Sequence, residues 1–338
     1  MNFAKRIQRP RMKKTKPLNE LKKFCDGLES RKFFLLASHV KPEGDAVGSL
    51  LAMDSFLRRL GKKTFIACED SFPERLNVLP SKKWNQIHNV SPAANFDALL
   101  VADCPTLERI GKVKSLLKPG MKVFNLDHHH TNRMFGDYNF VQTKAAACGE
   151  VVYDIFKHFK MPFTKEEMSA LYVSITTDTG SFKYSNTTVK THQIAAELIG
   201  SGLDVERIND DLHATYSLGK MKLYSRLLAK VKTSHRHDIA WAAMTRRDLR
   251  YSGASEEDAE GFIDFLKYIR EVKFSFFMIE SETPKTIRVS FRSKDGFDAS
   301  RVAAAFQGGG HQKASGCMIY GTLDQAEKMI LSEVVKQF

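Results

Sequence analysis

The sequence has no Cys-x-x-Cys pair, no apolar run long enough to span a bilayer, no signal-peptide core and no internal repeat. Its five cysteines (Cys25, Cys68, Cys104, Cys148 and Cys317) are odd in number and scattered. That argues against a disulfide framework and a zinc knuckle, and it fits a reducing cytoplasm. Without a spanning segment or an h-region, no membrane partner is expected. Acidic residues are in short supply, 39 Asp and Glu against 52 Lys and Arg, for a net charge of +13. Such an excess attracts polyanions, so nucleic acid and nucleotides come first among partners; a lysine excess that only maintains solubility explains the charge equally well. Between Met1 and Lys16 there are seven basic residues and no acidic one. Residues 1–17 therefore read as a disordered basic arm that touches nucleic acid.

What is present is the signature of an α/β protein of two domains, for which 338 residues suffice. Phe33–Ala37, Thr64–Ala67, Ala98–Ala102 and Met121–Leu126 are short apolar runs. Continuous apolar strands alternating with helices predict a parallel sheet covered on both faces. Helices are predicted where Ala46, Leu50, Met53, Leu57 and Leu60 recur, and near 149–159, 165–176 and 188–200. The polar helical stretch 204–230 reads as a connector. A smaller α/β domain follows over 231–338, with strands at 239–244, 272–280 and 286–292 and helices at 255–270 and 323–336. A cleft between the two domains is expected.

Ligands of open parallel sheets collect outside the carboxyl ends of the strands. After the first predicted strand come His39, Glu43 and Asp45; after the third, Asp103; after the fourth, Asp127, His128, His129 and His130; and Asp178 follows the helix ending near Thr176. Singly these have ordinary explanations: Asp45 as an N-cap, Asp103 as a turn residue, a histidine as a surface group. Jointly they would crowd one rim with carboxylates that repel unless cations lie between them. Imidazole and carboxylate donors without thiolate favour manganese or a similar divalent ion over structural zinc.

The segments His39-x-x-Pro42-Glu43-Gly44-Asp45-Ala46-x-Gly48-Ser49, Asp103, Asp127-His128-His129 and Asp178-Thr179-Gly180 resemble the four motifs of the DHH phosphoesterases. Arg292-Ser293 and Gly308-Gly309-Gly310-His311 resemble the DHH-associated C-terminal domain. By domain layout the resemblance is to the NrnA-type subgroup, oligoribonucleases that also remove the 3′-phosphate of adenosine 3′,5′-bisphosphate. It implies a DHH catalytic domain over 18–203, a substrate-binding domain over 231–338, and two divalent cations, most readily Mn2+. His39, Glu43 and Asp103 would hold one ion. Asp45, Asp103, His128 and Asp178 would hold the other, with Asp103 bridging. His129 would stand beside the cluster, against the scissile phosphate or in proton transfer, and Asp127 would orient an imidazole. Glu43 departs from the Asp usual in the family: the charge is kept but reaches one methylene further.

Two cations roughly 3.5–4 Å apart would turn a shared water into hydroxide for in-line attack on phosphorus. The substrate would be short RNA or a nucleotide bisphosphate. Arg292, Ser293, Gly308, Gly309, Gly310 and His311 would hold a terminal phosphate, the glycines by admitting an anion close to backbone N–H groups. A flexible turn with a surface histidine is the plain alternative. Tyr184 suits either base stacking or packing. A cyclic or linear dinucleotide phosphodiesterase would carry the same cluster. A non-catalytic RNA-binding protein is the reading from another class. A homodimer is left open.

Overall fold

The computed structural model describes residues 17–91, 94–214, 216–234, 236–294 and 296–338. The basic stretch Met1 to Lys16 lies outside them, and Pro17 opens the first helix. The chain divides into two compact units, 1–214 and 215–338. Of the 204–230 stretch, the part up to 214 falls in the first unit and the rest in the second.

In the first unit α1 (Pro17–Glu29) leads into β1 (Phe33–Ala37), α2 (Gly44–Arg59), β2 (Lys63–Cys68), β3 (Trp84–Gln86), β4 (Ala98–Ala102), β5 (Lys122–Asp127) and β6 (Tyr138–Val141). Four helices close it: α3 (Cys148–His158), α4 (Lys165–Asp178), α5 (Val189–Gly200) and α6 (Val205–Asn209). The six strands pair in the order β3-β2-β1-β4-β5-β6, every pair parallel. Period-two alternation explains the unbroken apolar runs. In β1, Phe34 and Leu36 enter the larger core, whereas Leu35 and Ala37 enter a second core on the opposite face. β4 divides the same way, with Ala98, Leu100 and Ala102 against Leu99 and Val101. A strand buried on both faces needs apolar residues at every position.

Helix α2 is buried nearly all round, which carries the first turn after β1 into the interior. At Gly48 the helix meets α4 so closely that a Cβ would lie 2.2 Å from the Ala170 carbonyl oxygen. Only glycine permits that approach, and the approach brings the N-terminal end of α2 to the C-terminal end of α4.

The second unit contains α7 (Leu218–Leu228), β7 (Lys232–Thr233), β8 (Ile239–Met244), α8 (Arg246–Ser252), α9 (Phe262–Tyr268), β9 (Phe274–Glu280), β10 (Thr286–Ser293), α10 (Ala299–Ala305), β11 (Gly309–His311), β12 (Ala314–Tyr320) and α11 (Leu323–Val334). Its sheet runs β11-β12-β10-β9-β8-β7, with β8 and β9 parallel and the other neighbours antiparallel. One face packs on α10 and α11, and the other, over β8 and β9, on α7, α8 and α9. The single helix predicted over 255–270 is interrupted: a 3-10 turn at Glu257–Ala259 is separated from α9 by Gly261 at φ +84°. A residue in that left-handed conformation ends a right-handed helix.

All five cysteines are buried and unpaired. Among the described residues no helix is long and apolar enough to cross a membrane.

Candidate metal centre

The order of the first sheet reverses between β1 and β4, and the open crevice at such a point lies outside the carboxyl ends of the strands. β1 is followed there by His39, β4 by Asp103, and β5 ends on Asp127 before His128. The first turn of α2 adds Asp45, and the last residue of α4 adds Asp178.

Asp103 holds the centre. Its carboxylate turns Oδ2 to His39 Nε2 at 3.6 Å, and Oδ1 to His128 Nε2 at 3.5 Å and His129 Nδ1 at 3.6 Å. Asp103 adopts φ +54°, a left-handed conformation that costs a non-glycine residue about 1 kcal/mol. Its N–H is anchored on the Leu126 carbonyl at 2.9 Å. His128 Nε2 also faces Asp45 Oδ2 at 3.5 Å and Asp178 Oδ2 at 3.6 Å. Three carboxylates from three elements thus ring one imidazole nitrogen, all beyond the length of a charge-assisted hydrogen bond.

The tautomers are fixed from behind. His39 Nδ1 lies 2.8 Å from the Val40 carbonyl and His128 Nδ1 lies 3.2 Å from the Ala145 carbonyl. Carbonyl oxygens only accept, so both rings carry a proton on Nδ1 and turn Nε2 to the carboxylates. His129 is held on its Nδ1 by Asp127 Oδ1 at 2.7 Å, so its other nitrogen, Nε2, is the untethered one. The buried Asp127 carboxylate also accepts the backbone N–H groups of His128 and His129.

Asp45 is not the N-cap of its own helix. That position belongs to Glu43, whose side chain makes no capping bond. Instead the Asp45 carboxylate accepts the N–H groups of Cys148 and Gly149, at 2.7 and 3.1 Å, and the Ser174 hydroxyl. Ala147, at the N-cap of α3, has no side chain able to do so. Asp45 therefore caps α3 across a hundred residues of sequence.

Crowding sets the protonation. Burial, then the charge of Asp103, pushes Asp45 up to about 8. Burial likewise pushes Asp178 up to about 6, with Asp103 and Glu43 adding to the shift. Burial opposes charge on His128, but Asp103, Asp45 and Asp178 outweigh it and raise the ring to about 10. His39 is raised against its burial by Asp103 and the Val40 carbonyl, and His129 is raised first by Asp127. Burial opposes the charge on Asp103 too, but His128 and His39 hold it well below the usual carboxylate range.

Two groups of donors lie close enough to share an ion: Asp45, His128 and Asp178, and Asp103 with Asp127, His128 and His129. Asp103 Oδ1 is buried without a hydrogen-bond partner. Desolvated carboxylates facing imidazole nitrogens, with one oxygen left unsatisfied, fit a divalent cation of the manganese or magnesium kind. Of the six ligand positions read from the sequence, His39, Asp45, Asp103, His128 and Asp178 converge. His39 joins through Asp103 alone and, like Glu43, falls in neither group; Glu43 is exposed, although its charge reaches Asp178. His130 is exposed.

Sequence reasoning missed the scaffold behind these ligands. The Asn132 Nδ2 lies within hydrogen-bond distance of Asp127 Oδ2 and of the carbonyl of Cys104, the residue after Asp103. Its Oδ1 accepts from Asn125 Nδ2 at 2.9 Å, and Asn125 Nδ2 also donates to Asn139. The signal was Asn125 itself, a polar residue inside the apolar run of β5. Asn132→Ala should lower kcat by about 10–100-fold, the usual effect of removing a group that orients a ligand. KM should change little, because Asn132 holds Asp127 and through it His129. Steady-state kinetics checks this; a rise in KM alone would oppose it.

In the second unit, Arg292 Nε donates to Asp264 at 3.2 Å. Ser293 is buried, with its hydroxyl within reach of the Phe297 and Gln312 carbonyls, so it fastens the adjoining turns together. The glycine run is neither a flexible turn nor a helix end: Gly309 to His311 form the edge strand β11, antiparallel to β12. A Cβ at Gly308 would lie 2.2 Å from the Gly316 carbonyl oxygen, and Gly310 has φ +137°. His311 is exposed on this edge. Tyr184 is 56% exposed, its ring lying over Gly180.

Both units are similar to known proteins. Residues 34–175 match the DHH family, N-terminal domain, and residues 242–338 match the DHHA1 domain. The bifunctional oligoribonuclease and PAP phosphatase NrnA of Thermus thermophilus is 31% identical over 302 residues, covering 88% of each chain. Its Bacillus subtilis namesake is 27% identical, covering 88% of this chain and 92% of that one. The crystal structure of an exopolyphosphatase-related protein from Bacteroides fragilis superposes with a TM-score of 0.87 at 27% identity, covering 96% of this chain and 98% of the other.

Proposed function

This chain belongs to the DHH family, and on that footing we propose that it is a metal-dependent phosphoesterase. Its substrates are short oligoribonucleotides, cut to mononucleotides, and adenosine 3′,5′-bisphosphate, relieved of its 3′-phosphate. The names of its relatives in Thermus thermophilus and Bacillus subtilis support both activities. The observation that carries the reading is the Asp103 carboxylate, with one oxygen turned to His39 and the other to His128 and His129.

His39 and Asp103 would hold one divalent cation, with Glu43 as a further donor from the exposed rim. Asp103, Asp45, His128 and Asp178 would hold the second. We take both as Mn2+, because the donor set mixes imidazole with carboxylate. When bound, the pair supplies a hydroxide nucleophile at neutral pH and offsets the charge of the phosphate oxygens.

The rest falls to side chains. Asp127 holds the His129 ring by Nδ1 and leaves Nε2–H to donate to the departing sugar oxygen as the P–O bond breaks. Asp127 raises the pKa of His129, which favours the doubly protonated ring that carries this proton. The attacking water forms the new P–O bond and gives up a proton, which solvent returns to His129. In the second unit, Arg292, His311 and the N–H groups of the glycine strand would bind a phosphate group, and Ser293 fastens the adjoining turns. Five buried thiols without a disulfide suit a reducing cytoplasm.

The test is a manganese-supplemented assay on RNA of graded length, adenosine bisphosphate, and cyclic and linear dinucleotides. Linear substrates of a few nucleotides should be cut at least about tenfold faster than chains above twenty, a difference of about 1.4 kcal/mol. Equal rates at all lengths, or a preference for the cyclic form, would overturn the substrate assignment. Binding without hydrolysis would overturn the enzyme reading.

A further inference from the structure

The geometry points to Asn186 as a positioning residue for one of the two ions, an inference that rests on the metal-centre reading above. Asn186 lies eight residues beyond Asp178, and its side chain turns back. Nδ2 donates to the Asp178 carbonyl at 3.0 Å and to the Ala146 carbonyl at 2.9 Å. With two carbonyls facing it, only the NH2 end of the amide can point there. The other end, Oδ1, is buried without a partner. An amide that leaves a buried acceptor unsatisfied carries a cost of about 1–3 kcal/mol, so it is the two donated bonds that account for an asparagine at this position.

Those bonds join two segments that otherwise serve the same ligands separately. The Ala145 carbonyl fixes the His128 tautomer, and the N–H groups of Cys148 and Gly149 hold Asp45. The stretch 145–149 is thus already fastened to two members of the Asp45, His128 and Asp178 group. Asn186 fastens it to the third. The turn it closes is strained: Gly180, Ser181 and Phe182 are consecutively left-handed, at φ +55°, +59° and +62°. A turn that costs free energy at each non-glycine step needs such a tie to keep Asp178 where it stands. His39 and Glu43 receive nothing from Asn186, so its effect is confined to one ion.

Mn2+ uptake by the metal-stripped full-length protein, read as free Mn2+ by electron paramagnetic resonance, tests this. Wild type should bind two ions. Asn186→Ala and the near-isosteric Asn186→Leu should weaken one by at least about tenfold, the usual effect of losing a supporting hydrogen bond, and leave the other within twofold. Asn186→Ser, which keeps one donor, gives the same readout more mildly if the larger changes do not fold. Leu198→Ala, buried in α5, is the control for general destabilisation: its melting temperature in chelator should fall while both affinities stay. Wild-type affinities for both ions in the Asn186 variants would overturn the inference alone. Failure of wild type to bind Mn2+ would instead overturn the metal centre on which it rests.

Discussion

Replacing Asp103 by Asn should lower phosphate release by at least about a thousandfold and leave the fold intact. The substitution keeps the shape of the side chain, and asparagine tolerates the left-handed backbone at φ +54° at least as well as aspartate does. What it removes is the charge shared between His39 on one side and His128 and His129 on the other. If Asp103 bridges two cations, its loss weakens both together. A correctly held cation contributes several kcal/mol to the transition state, and each 1.4 kcal/mol is tenfold in rate. Neighbouring single-ion ligands should do less damage: Glu43→Gln, at an exposed carboxylate outside either donor group, should leave most of the activity. Initial rates in Mn2+, with circular dichroism as the fold control, decide it. Asp103→Asn activity within tenfold of wild type would remove the bridging role. RNA binding by wild type and Asp103→Asn alike, with phosphate release from neither, would favour an RNA-binding protein.

The clustered candidate ligands were legible because a parallel sheet has few places for polar side chains. Runs such as Leu99-Leu100-Val101-Ala102 must be buried, so the first polar residue beyond each lands on the carboxyl edge. β3 and β6 were not legible: they are three and four residues long with one buried residue apiece, too short for alternation to register. β11 has no side-chain pattern at all, since two of its three residues are glycine. The break at Gly261 shows the limit of reading helices by apolar spacing, because the periodicity continues across a residue whose backbone turns the other way.

Within the site, the residue types were readable and their partners were not. Asp45 was available as a cap for α2, yet it caps α3, because α2 is drawn against α4 at Gly48 and that packing carries its first turn to the start of α3. Asn132 and Asn186 carry no motif of their own. Their value lies in what they join: Cys104 to Asp127 in one case, Ala146 to Asp178 in the other. Contacts of that kind exist only after the chain has closed.

Stripped of metal, the protein should melt at a lower temperature as pH rises from about 5 to 9, and Mn2+ should flatten or reverse that slope. The sign follows from which state holds more protons. Asp45 is raised to about 8 and Asp178 to about 6, so between the ordinary carboxylate range and those values the folded form keeps protons that the unfolded form has released. His128, raised to about 10, does the same above its ordinary range, as do His39 and His129. Their stabilising contribution is complete at low pH and is lost as pH climbs through the folded values. Asp103, held low, acts oppositely, but only below pH 4, outside this window. The sum is on the order of a few kcal/mol, or about 5–10 °C in melting temperature for a unit of this size. A divalent cation replaces those protons as the counter-charge, so binding at pH 7 should release about two per chain, from Asp45 and His128 first. Calorimetry in two buffers of different ionisation enthalpy counts them, and melting curves with chelator and with Mn2+ across the range give the slopes. Parallel slopes and no proton release would mean that the cation does not occupy the space among Asp45, His128 and Asp178.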